Sequence, residues 1–172
     1  MTRGVSDAAG RQAGSRPAGP AAGYRYFDDF YPGQEIDLGE RTVTEAEILA
    51  FARDFDPQSF HIDADAAADS PYGGLIASGW HTCSMMMRMV VDGLLAVSAG
   101  MGSPGLDGVR WLAPVRGGDT LRVRYLTRKV KASTSKPDRG VVWSTWIATN
   151  QHGIEVCTVD GMSIYGRRPR GF

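Results

Sequence analysis

The densest apolar segment of the chain, WHTCSMMMRMVVDGLLAVSA, runs from Trp80 to Ala99 and dictates what the rest must do. Met85, Met89 and Asp92 share one helical side, and Met86, Val90, Gly93 and Val97 an adjacent one. The spacing predicts a long helix from Trp80 to about Ala99, buried over most of its surface. The longest apolar run, near Val90 to Ala99, contains Asp92 and Gly93 and is too short and too interrupted to span a membrane. Such a helix needs cover, and the downstream sequence supplies strands. Leu121, Val123 and Tyr125 alternate with Arg122, Arg124 and Leu126, the period-two pattern of a half-buried strand. Further strands are predicted over Val141 to Thr149 and about Ile154 to Tyr165, separated by turns at Lys136 to Gly140 and Asn150 to Gly153. Short turns between consecutive strands imply a meander of about four antiparallel strands from Gly105 onward. An earlier strand is predicted from about Glu35 to Val43, after a turn at Pro32-Gly33. One strand, a helical section and a meander together predict an α+β fold, an antiparallel sheet wrapped around a central helix.

The helical section opens with a capping box, Thr44 with Glu47 three residues later. Ile48, Phe51, Ala52 and Phe55 then fall on one helical face. Pro57 disfavours helical geometry in the residue before it, so this helix ends at Phe55 or Asp56. Asp63 is read as the cap of a second short helix over Ala64 to Asp69, broken by SPYGG.

Composition narrows the classes of function. The 19 basic and 19 acidic side chains cancel, which argues against a nucleic-acid binder. The basic end, Arg167, Arg168 and Arg170, reads as a solvated tail. The two cysteines, Cys83 and Cys157, have no C-x-x-C spacing, which fits a reducing cytoplasm and argues against a structural zinc site. Residues 1–23 are Gly-, Ala-, Pro- and Arg-rich and read as a disordered leader, followed by one domain over 24–168 and a tail over 169–172.

The chemistry concentrates between Phe51 and Gly79, FARDFDPQSFHIDADAAADSPYGGLIASG. Asp56 precedes His61 by five residues in a Pro-containing loop, and Gly79 opens the long helix. An aspartate and a histidine on one loop hold a water between them, act on it as general base, and act as general acid toward carbon. A helix-opening N–H has no intrahelical partner and sits at the positive end of the dipole, so the Gly79 N–H is placed to bond a carbonyl oxygen. His61-x-Asp63 lacks a third metal ligand at suitable spacing, so no metal is expected. His81, one turn into the long helix, is read as a core histidine, with a side chain pointing at the substrate pocket as its alternative, and His152 as a solvated turn residue.

FARDFDPQSFHID followed by GGLIASGW resembles the hydratase motif of the MaoC-like dehydratases, relatives of the (R)-specific enoyl-CoA hydratases. In that resemblance Asp56 falls on the motif Asp, His61 on the motif His, Asp63 on the Asp that follows, and Gly79 on the motif Gly. Ser84 falls where several of these hydratases place a serine near the substrate. VRWLAPVRGGDTLRVRY resembles the family's strand pair, with Pro114 and Gly118-Asp119 at its turn. The similarity covers roughly Phe27 to Tyr165. Gln58 stands for the usual Asn, Ser59 for the usual Pro, and Ser78 for the histidine that often precedes the motif Gly.

The resemblance implies a hot-dog fold and hydration of a trans-2-enoyl-CoA to a 3-hydroxyacyl-CoA, or the reverse dehydration. It implies Asp56 and His61 as catalytic residues, and Gly79 and Ser84 as oxyanion and substrate contacts. It further implies an acyl-CoA substrate, no metal or redox cofactor, no membrane or nucleic-acid partner, and a homodimer that pairs sheets edge to edge around two helices. Two other functions compete. One is a hot-dog acyl-CoA thioesterase, which commonly places a carboxylate on the central helix; this helix carries no acid before Asp92. The other is a non-catalytic acyl-thioester-binding subunit.

Overall fold

The chain enters along an aromatic 3-10 turn, Phe27–Asp29, and forms its first strand, β1, over Glu35–Thr42. A computed structural model describes residues 23–169, so all but the last residue of the expected 1–23 leader and all but the first of the expected 169–172 tail lie outside the described residues. Helix α1 spans Glu45–Phe55. Its Thr44 hydroxyl accepts from the Glu47 N–H, and the Glu47 carboxylate accepts from the Thr44 N–H. These bonds, led by the Thr44 N–H and joined by Arg41, hold the Glu47 carboxyl down at about 2. Two short helices follow, α2 over Ser59–Ile62 and α3 over Ala64–Ala68, then the long helix α4 over Gly79–Gly93. Strands β2 (Gly105–Trp111), β3 (Thr120–Ala132), β4 (Arg139–Thr149) and β5 (Glu155–Gly166) complete the domain.

The five strands form one antiparallel sheet in the order β1-β3-β4-β5-β2, and α4 packs on it. Met85, Met86, Met89 and Val90 of α4 share a core with Val123 and Tyr125 of β3, Val142 and Ala148 of β4, and Val156 and Val159 of β5. Burying one such side chain stabilises the fold by about 1.5–3 kcal/mol. The α+β expectation of a sheet around a long helix therefore holds, and among the described residues no helix is long and apolar enough to cross a membrane.

Four details differ from expectation. Strand β2 does not pair with β3, its successor in sequence; it pairs with β5 at the far edge of the sheet. The segment from Leu112 to Asp119 thus crosses from one side of the sheet to the other instead of closing a hairpin. Helix α4 stops at Gly93, not near Ala99. Beyond it a 3-10 turn, Leu95–Val97, leads into backbone bonds between Arg25 and both Val97 and Ala99, and this pairing replaces further helical bonds. Burial of α4 is one-sided. A single sheet covers one face, while Trp80 (58% exposed), Ser84, Met87 and Arg88 face outward. Finally, Arg167 and Arg168 are not a free solvated tail. Their guanidinium groups pair with Asp28 and Asp29 and lie over the rings of Phe27 and Tyr26, tying the end of the domain to its beginning.

Candidate active site

Asp56 caps the C-terminus of α1, where its N–H still donates to the Ala52 carbonyl at 2.9 Å. Pro57 then turns the chain out of the helix. The Asp56 carbonyl accepts from the Gln58 N–H (2.8 Å) and the Gln58 carbonyl from the His61 N–H (2.9 Å). The stretch expected as a loop thereby tightens into the single turn of α2, and His61 on that turn points back at Asp56. The imidazole is 4% exposed. Its Nδ1 lies 2.8 Å from the Ile76 carbonyl oxygen. A carbonyl only accepts, so Nδ1 carries a hydrogen and Nε2 is left as the proton-exchanging nitrogen. Nε2 lies 3.4 Å from Asp56 Oδ2.

Two further donors fix the carboxylate. Ser78 Oγ donates to Asp56 Oδ2 at 2.7 Å, and Gln58 Nε2 to Oδ1 at 2.8 Å. The Ser78 hydroxyl most of all, then Gln58 and His61, hold the Asp56 carboxyl below the usual carboxylate range against the opposing effect of burial. Asp56 is therefore ionised at neutral pH. Ser78 is also the N-cap of α4, its Oγ accepting from the Trp80 N–H at 3.2 Å. One hydroxyl thus joins the acid to the start of the long helix, where the Gly79 N–H has no intrahelical partner. A side chain at Gly79 is impossible as packed: a Cβ there would lie 2.4 Å from Cε2 of Trp111.

Asp56, His61 and Gly79 line one cleft of about 500 Å³, together with Trp80, Trp111 and Leu112. The crossing segment after β2 forms a wall of it, so the edge position of β2 matters to the site. Ser84 lies elsewhere. It is exposed, its Oγ donates to the Trp80 carbonyl at 2.8 Å, and it lines a neighbouring chamber of about 540 Å³ with Cys83, Met87 and Val109. Asp63 caps α3, its Oδ1 accepting from the N–H groups of Asp65 and Ala66. His81 is buried against α1, stacked on Phe51 at 4.8 Å, and takes no part in the cleft. Among the described residues no group of three or more His, Cys, Asp or Glu side chains is gathered as for a metal ion.

The acid, the imidazole and the glycine singled out in the sequence lie together on one cleft. Sequence reasoning missed Ser78 and Gln58 as supports of the acid, having read both only as departures from a motif. The signal for Ser78 was its place before the first residue of an apolar helix, where an N-cap belongs.

The profile of the MaoC like domain matches residues 29–146. Protein MaoC of Klebsiella aerogenes is 31% identical over 122 residues, which cover 69% of this chain and 36% of that protein. Nodulation protein N of Rhizobium leguminosarum bv. viciae is 37% identical over 99 residues, covering 55% of this chain and 62% of that protein. The chain therefore spans between about a third and three fifths of the length of these relatives. The crystal structure of a MaoC-like dehydratase from Rhodospirillum rubrum matches with a TM-score of 0.80 and 37% identity, covering 85% of this chain and 99% of that one. A Mycobacterium tuberculosis protein with a double hotdog fold matches with a TM-score of 0.72 at 20% identity, covering 86% of this chain and 46% of that one, a likeness of fold alone. With the greater part of its length under the family profile and a long helix packed on a five-stranded antiparallel sheet, the chain belongs to the MaoC-like dehydratase domain family and has the hot-dog fold.

Proposed function

We propose that this hot-dog domain, of a hydratase and dehydratase family, adds water to a trans-2-enoyl-CoA to give a 3-hydroxyacyl-CoA, or runs the reverse. The observation that carries the reading is the convergence of Asp56 Oδ2 and His61 Nε2 at 3.4 Å on one cleft, with Nδ1 pinned to Ile76. Asp56 and His61 bind a water between them and take a proton as its oxygen bonds to the β-carbon. The π-electron pair moves onto the α-carbon and thioester oxygen as an enolate. The Gly79 N–H donates to that oxygen; losing such a donor typically costs about 10²–10³ in rate. The pair then returns a proton to the α-carbon, so one water is added across the double bond and no electrons leave the system. The reaction is redox-neutral and calls on no metal or redox cofactor. Dehydration follows the same steps in reverse.

The acting unit is proposed to be a homodimer. The open edge of β2 and the outward face of α4 expose Leu106, Trp111, Trp80 and Met87, an apolar surface suited to a second copy. The compartment is proposed to be the cytoplasm, which suits two free thiols. A thioesterase reading gains nothing from α4, whose single acid, Asp92, is exposed and paired with Arg88. Crotonyl-CoA separates the three functions. Loss of enoyl absorbance without free thiol is the expected result. Release of free thiol marks a thioesterase, and binding without turnover a non-catalytic subunit; either contradicts the proposal.

A further inference from the structure

His61 owes its direction to the Ile76 carbonyl, and Ile76 lies in residues 69–78, a stretch between α3 and α4 that belongs to no helix or strand. Its backbone nevertheless alternates its bonds from side to side as a strand does. On the α2 side, the Ile76 N–H donates to the Phe60 carbonyl at 3.3 Å and the Ile76 carbonyl meets His61 Nδ1. On the other side, the Ala77 N–H donates to the Val115 carbonyl at 2.8 Å, and the Leu75 carbonyl accepts from Arg116 Nη1 at 3.3 Å. The residue before His61's anchor is therefore held by a cation.

Arg116 stands on the segment that crosses from β2 to β3. Its Nη2 donates to the Tyr72 carbonyl, so one planar guanidinium spans two carbonyls 41 and 44 residues back in the chain. Gly73 and Gly74 (φ +62° and +147°) turn the chain so that both carbonyls face it, and a Cβ on Gly74 would lie 3.2 Å from Nη1. Neither bond goes to a carboxylate. The nearby Asp119 carboxylate is engaged by the Arg116 backbone N–H and by Gln151 Nε2, each at 2.8 Å. The base of the arginine is itself fixed. The Gly118 N–H donates to the Val43 carbonyl at 2.7 Å and the Val43 N–H to the Asp119 carbonyl at 2.8 Å, one residue before the cap of α1. The crossing segment thus anchors both the start of the helix that ends in Asp56 and the stretch that orients His61.

We propose that Arg116 is a positioning residue: by gripping the Tyr72 and Leu75 carbonyls it keeps the Ile76 carbonyl aimed at His61 Nδ1, and so keeps Nε2 the bare nitrogen facing Asp56. The inference rests on the hydratase reading for the use made of His61. Without the guanidinium, the Leu75–Ile76 peptide is free to rotate, the hold on the Nδ1 hydrogen loosens, and the imidazole exchanges between its two tautomers. Arg116 touches neither water nor thioester in this role, so its loss falls on turnover and spares binding.

The test uses Arg116→Ala and Arg116→Lys, with circular dichroism to confirm the fold. Lysine keeps the charge and bonds one carbonyl at a time, without the fork. Nitrogen-15 NMR of the imidazoles at alkaline pH reads the tautomer directly, the His61 signals being those absent from His61→Gln. The wild type is expected to show one His61 tautomer, with the hydrogen on Nδ1. The alanine variant is expected to show both, and the lysine variant a smaller share of the second. With crotonyl-CoA, kcat of the alanine variant is expected to fall at least about tenfold with KM within about threefold, as for a misplaced catalytic group. The lysine variant should lie between it and the wild type, and it carries both readouts if the alanine variant does not fold.

A folded variant whose His61 keeps the single wild-type tautomer overturns the proposal, as does a loss that falls on KM alone. A mixture of tautomers in the variants, with no hydration of crotonyl-CoA by the wild type, upholds the positioning role and overturns the hydratase reading instead.

Discussion

Two histidines of this domain, His61 and His81, are about equally hidden, at 4% and 6% exposure, and both lie beside α1. They differ in what meets their nitrogens. His61 has a carbonyl on Nδ1 and an ionised acid facing Nε2. His81, on α4, packs against α1 with its ring on Phe51, and its Nδ1 meets no partner. Burial drives the His81 imidazole below its ordinary value; nearby Glu47 opposes that effect and Arg41 adds to it. Depth alone does not make a site here. A buried ring becomes chemically useful when one nitrogen is anchored and the other is left facing a charge and a cleft.

The sharpest way to break this contrast is to remove each partner of the first pair. Asp56→Asn and His61→Gln are each expected to slow hydration of crotonyl-CoA by at least about 10²-fold, the scale of lost general acid–base catalysis. Circular dichroism should show the fold retained. A smaller effect is expected from Ser78→Ala, which takes the shortest hydrogen bond from Asp56. The loss of one bond to a charged group predicts about a tenfold drop in kcat/KM. Because that bond holds the Asp56 carboxyl down, its removal lets the pKa rise, so the acid limb of the pH–rate profile should move to higher pH. The same change removes the N-cap of α4, expected to cost about 1 kcal/mol in urea unfolding.

The smallest effect belongs to His81. His81→Phe should leave hydration within a few-fold of the wild type and stabilise the fold by about 1 kcal/mol, since an unpartnered buried nitrogen is replaced by carbon. Its pH signature is specific. A base whose folded pKa is depressed contributes stability when neutral, and that contribution is lost as pH falls below about 6.5, where the unfolded chain takes up the proton first. Wild-type stability should therefore decline on that side of neutrality more steeply than that of the variant, by thermal melts at a series of pH values. A His81→Phe protein as inactive as His61→Gln would erase the distinction between the two rings.

Much of this was legible where the determining contacts are local. Thr44 with Glu47 marks the start of α1 and Pro57 its end, because caps and proline sterics act within a few residues. Asp56 and His61 were readable for the same reason: one turn of chain joins them. The place of β2 was not, since adjacency in a sheet is decided by which edge is free, and β3 was already taken by β1 and β4. The end of α4 depends on Arg25, far away in sequence, which competes for the backbone of Val97 and Ala99.

The departures from the family motif needed side chains to interpret. Gln58 and Ser78 looked like losses, yet each reaches one oxygen of Asp56. Ser84 sits one turn beyond Trp80 on α4, but it lines the neighbouring chamber and not the cleft of Asp56 and His61.

The central claim is that Asp56 and His61 act as one unit on one water, and a double-variant cycle tests it most directly. Initial rates of crotonyl-CoA hydration would be measured for the wild type, Asp56→Asn, His61→Gln and the double variant. The expected result is a double variant within a few-fold of the slower single one, as for residues that act together. Rate losses that multiply, or a wild type that leaves crotonyl-CoA unchanged, would contradict it.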